Sequence, residues 1–278
     1  MHRTLKAIIT TSVFALGVAS QAVQAADFGG TALRGSIQPQ QQTSSQLWDG
    51  VYVGGLGGYS SGTVGKTKGY GNIAPQLNGT EIDAQSGLSK QLITPTRAVD
   101  SQAFGGFVGY NSTWEDAVVG VEADYMRTDL KAKSDINIAR TFTGTSGNTY
   151  SYNANMTAAS KITDLATLRG RVGYAVGNAL PFVTLGVAFG HGRFTNNSSI
   201  IGTQTSSATP PVVTPYNYSG GYINRDKFAA GLALGAGVDY AFTSAVFLRA
   251  EYQYIKFSSF GGSQVAINNA RAGVAAKF

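Results

Sequence analysis

The chain has 278 residues, with 21 Lys and Arg against 15 Asp and Glu, 36 Gly, 14 Phe, 14 Tyr and no Cys. The missing cysteine excludes disulfide frameworks, thiolate metal sites and cysteine nucleophiles. A charged fraction of 13% beside so much glycine and aromatic residue does not fit a soluble helical enzyme, and a net charge of +6 without a basic cluster does not argue for nucleic acid.

The first segment stands apart from the rest. Arg3 and Lys6 make a basic start, Ala7 to Ala19 is an apolar run, and Val23 and Ala25 occupy the positions a signal peptidase reads. This order marks residues 1–25 as a secretory signal peptide cut after Ala25, with a buried N-terminal helix as the competing reading. Without Arg3 and Lys6 the balance is 19 basic against 15 acidic residues, a mild excess. Residues 26–47 carry a glutamine run and little apolar periodicity, and read as a flexible periplasmic leader. No later apolar run reaches the length of a membrane-crossing helix.

From Trp48 onward, segments with period-two alternation recur between turn residues. Eight strands are expected, at about 49–59, 101–111, 117–130, 162–176, 181–194, 226–242, 245–257 and 265–278. Each is long enough to cross a hydrocarbon layer as a tilted strand, which needs about 9–11 residues. No helical pattern competes. The gaps after strands two, four, six and seven are short. Those after strands one, three and five, about 60–100, 131–161 and 195–225, are long and polar. Short turns alternating with long loops are the layout of an outer-membrane barrel, with turns in the periplasm and loops outside.

The charges explain why such strands need a closed ring. In "AVFLRAEYQYIKF", residues 245–257, Val246, Leu248, Ala250, Tyr252 and Tyr254 share one face, while Phe247, Arg249, Glu251 and Gln253 share the other. The same split puts Glu122, Asp124, Asp239 and Glu251 with Arg169, Arg171, Arg249 and Arg271 on the polar faces, four anions and four cations. An arginine facing lipid at mid-membrane costs about 2–4 kcal/mol. If the polar faces converge inside a barrel, the charges pair there, and no strand edge is left unpaired in lipid. Two aromatic belts fit this arrangement. Tyr110, Trp114, Tyr174, Tyr240, Phe242 and Phe278 lie near the short turns, and Tyr59, Tyr125, Phe189, Phe228 and Tyr254 near the long loops. The expected fold is all-β, an eight-stranded antiparallel transmembrane barrel over residues 48–278, in contact with outer-membrane lipids. A secreted, soluble, lipocalin-like barrel with its apolar faces turned inward is the alternative.

Several stretches carry a family resemblance. "WDGVYVGGLGGYSSG" at 48–62 resembles the first strand of alphaproteobacterial outer-membrane surface proteins, and "GGFVGYN" at 105–111 their second. "LRGRVGYAVGNALPFVTLGVAFG" at 168–190 is similar to their fourth and fifth strands, and "ARAGVAAKF" at the C-terminus to their last. "LRGS" at 33–36 also occurs in some rhizobial relatives. The family includes surface antigens, porin-like proteins and hemin-binding proteins, all similar to the OmpA-like eight-stranded domain. The resemblance implies an outer-membrane location. It also implies that the terminal aromatic, Phe278, is read by the barrel-assembly machinery. No peptidoglycan-binding domain is expected after Phe278, which would set the chain apart from full-length OmpA-like proteins.

Few residues suggest chemistry. His191 in "FGHGRF" falls on the lipid side of strand five, near the outer rim, without placeable partners for a Ser/His/Asp site. The glycine clusters lack the G-x-G-x-x-G spacing of a phosphate loop and read as inward small residues or bends. No catalytic residue and no metal site is expected. Hemin is the one candidate ligand, through His191 or the tyrosines Tyr216, Tyr218 and Tyr222 of the third long loop. Exposed tyrosines without a specific role are the alternative. The balanced internal charges point to a salt-bridged plug rather than an open channel.

Overall fold

The computed structural model describes residues 47–260 and 262–278. The signal peptide read over 1–25 and the leader up to residue 46 lie outside the described residues. Leu47, the last leader residue, packs partly buried beside Trp48, which is itself buried.

Eight strands close into one ring: β1 (Gly50–Val64), β2 (Arg97–Trp114), β3 (Ala117–Thr143), β4 (Thr149–Tyr174), β5 (Ala179–Thr205), β6 (Val213–Ala241), β7 (Val246–Phe260) and β8 (Ser263–Lys277). Every neighbouring pair is antiparallel, and β8 pairs with β1 through Val53↔Ala276 and Gly58↔Arg271. The soluble alternative required oily faces inside. Instead Val121, Leu168, Leu185, Leu234, Leu248 and Val274 face outward and are exposed on the wall.

Two sequence expectations are corrected. The segments 131–161 and 195–225 are not loops. They are the upper halves of two long hairpins, β3–β4 and β5–β6, with strands of 26 to 29 residues and tips at 144–148 and 206–212. Their alternation is polar, because outside the membrane the outer wall faces water, and a search for apolar alternation passes over it. The segment 60–100 is not uniformly a loop, and helical structure is present. β1 and β2 occupy its ends, and between them lie a 3₁₀ turn (Tyr70–Asn72) and three short helices, α1 (Ala74–Leu77), α2 (Glu81–Ser86) and α3 (Leu88–Gln91). Helices this short leave no 3.6-residue period to read.

The register divides the barrel by height. β2 pairs with β3 only up to Ala103↔Thr128, and β6 with β7 only up to Gly231↔Phe257. Above those points β3, β4, β5 and β6 continue as a tall four-stranded sheet, paired as far as Thr143↔Thr149 and Thr205↔Val213. The short helices cover the inner face of this sheet. Ile73, Leu77, Ile82, Leu88 and Leu92 pack with Tyr150, Tyr152, Ala154, Met156 and Ile200.

Candidate functional site

The barrel interior holds an ionic layer between two apolar ones. Below it, toward the short turns, Trp48, Tyr52, Phe107 and Phe247 pack edge to face, with ring centroids 5.5–6.1 Å apart. Above it, Ser60 donates to Asn269 at 2.6 Å and Asn269 to Gln253 at 2.9 Å. Higher still, the buried rings of Phe194 and Phe257 pack against that of Phe260, with centroids 4.8 and 5.0 Å away.

Glu122 and Asp124 on β3, Arg169 and Arg171 on β4, Asp239 on β6, Arg249 and Glu251 on β7 and Arg271 on β8 form the layer between. Their side chains are at most 1% exposed. Glu122 is the hub. It accepts from Arg169 Nη2 at 2.5 Å, from Arg249 Nη1 at 2.5 Å and from the Tyr52 hydroxyl at 2.8 Å. Arg249 grips Asp239 with both ends of its fork, Nε to Oδ1 at 2.7 Å and Nη2 to Oδ2 at 2.9 Å. Arg171 adds a bond to Asp239 at 2.7 Å. Arg271 ties Glu251 at 2.9 Å to Asp124 at 3.2 Å, and Arg169 reaches both Asp124, at 2.9 Å, and Glu251. Aromatic faces complete the desolvation, with the Arg171 guanidinium 4.1 Å from the Phe182 centroid and that of Arg249 4.3 Å from Phe107.

Such a layer fits only where opposing strands carry no bulk. A Cβ at Gly235 would lie 2.5 Å from Thr184 Oγ1 and 2.8 Å from a Glu251 carboxylate oxygen. Uncharged members of the network, which escaped a search for charges, include Tyr52, Thr184, which accepts from Arg169 at 3.0 Å, and Thr167, which donates to Asp124 at 2.5 Å. Each sits on the inward face of its strand, so the alternation that located the arginines also reaches them.

Of the hemin candidates, Tyr216 and Tyr218 are brought together, ring centroids 5.5 Å apart, but His191 is not brought to them. His191 points outward, its Nδ1 3.3 Å from Asp164 and its ring 4.5 Å from that of Phe228. Tyr216 and Tyr218 pack partly buried against the upper inner cluster, and Tyr222 against the lower one. Burial pushes the Tyr216 phenol up to about 12, which opposes the phenolate that iron would need. Among the described residues no group of three or more His, Asp or Glu could hold a metal ion. Phe278 is exposed at the barrel end, its N–H donating to Val51 O at 2.8 Å.

A closed antiparallel ring, oily outside and charge-paired inside, defines a bacterial outer-membrane β-barrel. The chain belongs to the family described as outer membrane protein beta-barrel domain, which matches residues 11–278, and its location is the outer membrane. It is 26% identical over 261 residues to a 22 kDa outer membrane protein of Rhizobium leguminosarum bv. viciae, covering 92% of this chain and 87% of that one. It is 23% identical over 281 residues to a 25 kDa outer-membrane immunogenic protein of Brucella ovis, covering 99% and 100%. Among solved structures it is similar to Ail, the attachment invasion locus protein of Yersinia pestis, in complex with a heparin analogue, with TM-score 0.37 and 13% identity over 83% of this chain and 99% of that one. It is also similar to Neisserial surface protein A, with TM-score 0.31 and 13% identity over 83% and 98%.

Proposed function

We propose that the protein is a structural, non-conducting barrel that anchors and displays its tall extracellular sheet. The observation that carries this reading is the ionic layer. Eight buried, mutually bonded charges fill the cross-section, with aromatic packing on either side. An eight-stranded barrel is just wide enough to be filled by side chains, and moving these would break several charge-assisted bonds at once. Export by the signal peptide and reading of Phe278 by the barrel-assembly machinery belong to the same proposal. Refolded protein in planar bilayers is expected to give no reproducible conductance steps, and large, regular steps would overturn the reading. The hemin role is not carried forward, because His191 stands on the opposite face of the wall from the tyrosines and burial opposes the Tyr216 phenolate that iron would need; a hemin titration is accordingly expected to give no saturable Soret shift.

A further inference from the structure

The outer wall of the tall sheet is basic where it leaves the lipid. Lys131 on β3 is the register partner of Lys161 on β4, and Lys161 is the partner of Arg193 on β5. Directly opposed residues on one face lie about 4.5–5.5 Å apart, and like charges there repel. Going up each strand, these three stand above Tyr125, Leu168 and Phe189, which are exposed on the wall. Arg127 and Lys133 extend the group along β3. Arg127, Lys161 and the exposed ring of Phe104 also line a groove where β2 and β3 part.

Carboxylates are present but fewer. Asp129 lies 2.5 Å from Lys131 and 3.4 Å from Lys161, Asp135 lies 3.1 Å from Lys133, and Asp226 lies 3.3 Å from Arg193. Asp164, near Arg127, is taken up by Tyr125, Thr163 and His191. The paired side chains stay about half exposed, so these contacts are weak and exchangeable. The surplus holds for the whole outer half. Residues 64–100, 125–166, 187–232 and 254–265 carry thirteen Lys and Arg against seven Asp and Glu, while the short-turn side has Lys277 against Asp49, Glu115 and Asp116.

We propose that Lys131, Lys161 and Arg193, flanked by Arg127 and Lys133, bind the phosphomonoester headgroup of an outer-leaflet glycolipid. The acyl chains would lie on the apolar wall below and beside Phe104. The cations sit where the apolar wall ends, their half-exposed contacts with Asp129 and Asp226 can exchange for another anion, and guanidinium and ammonium groups are suited to phosphate oxygens.

The test uses the full mature chain refolded in detergent micelles, with lipid A as probe and native mass spectrometry as readout. Wild type is expected to retain bisphosphorylated lipid A and to bind its dephosphorylated form at least about tenfold more weakly, the loss expected for missing charge-assisted bonds. The exposed triple variant Lys131→Gln, Lys161→Gln, Arg193→Gln should lose a similar factor while keeping the heat-modifiable gel migration of a folded barrel. The control Lys66→Gln, Lys68→Gln, Lys90→Gln removes the same charge elsewhere and should bind like wild type. The proposal is overturned by a folded triple variant that binds like wild type, by equal retention of dephosphorylated lipid, or by an equal loss in the control. Displacement of the lipid by millimolar inorganic phosphate would overturn it too, by showing a site for free anions.

Discussion

The lower ring and the tall upper sheet are built from the same strands with the same two-residue alternation, yet their polarity is reversed. On β3 within the ring, Glu122 and Asp124 point in and Val119, Val121 and Tyr125 point out. A few residues higher, Leu130, Ala132, Ile136 and Ile138 point in, and Lys131, Lys133 and Asp135 point out. On β5 the change falls between Phe189 and Arg193. The strand does not change at that boundary; the solvent does. Lipid accepts the oily face and leaves charges to find one another inside, whereas water accepts the charges and leaves the oily face to be covered by α1, α2 and α3. The two halves should therefore fail differently when mutated.

The largest effect is expected in the ring. Glu122→Ala removes the carboxylate that Arg169 and Arg249 share, and truncating one partner of a buried ion network costs about 3–5 kcal/mol. Urea titration of the refolded barrel in micelles checks this, and a loss below 1 kcal/mol would mean that water reaches the cluster. On the outer face of the ring, Leu185→Arg should cost about 2–4 kcal/mol by the same titration. The equivalent change at Asn197, outward on β5 but above the lipid, should cost nearly nothing.

In the upper half the expected effects are smaller and local. Ile82→Val in α2 should cost about 0.5–1.5 kcal/mol, seen as faster proteolysis of residues 65–96 with the melting of the ring unchanged. The smallest effect concerns pH. Glu81 ties α2 to the β3–β4 tip, accepting from Ser146 Oγ at 2.6 Å, Thr145 Oγ1 at 2.6 Å and Ser146 N at 2.9 Å. These bonds, that from the Ser146 hydroxyl foremost, hold its carboxyl down at about 2 against an ordinary 4.5. A depressed pKa stabilises above the unfolded value. The contact is therefore complete above about pH 4.5 and is lost as pH falls toward about 2. Protease sensitivity of this segment should rise across that window, and Glu81→Gln should flatten the dependence.

The reversal also explains what could be read in the sequence. In the ring, apolar residues alternate against glycine and charge, so the strand positions and the eight inward charges follow from period two, and the closed topology from the gap lengths and the need to pair those charges. Above it, "KAKSDINI" at 131–138 alternates equally well, but its apolar members are small or few and its polar members are what a loop would show. The row formed by Lys131, Lys161 and Arg193 fell largely within segments read as loops, and no spacing along the chain reveals that the register aligns them. The covering helices are only four to six residues long, and the Thr80 side chain capping Asp83 N at 3.3 Å is a weak signal among many Thr and Asp.

With no native cysteine in the way, a nitroxide can be placed in turn at 183, 185, 187, 189, 191 and 193 along the outward face of β5, and its collisions with oxygen compared with those with a nickel chelate. Oxygen should dominate from 183 to 189, with the chelate taking over by 193. Chelate contact at 185, or no crossover along the series, would contradict a wall whose polarity turns over at the membrane surface.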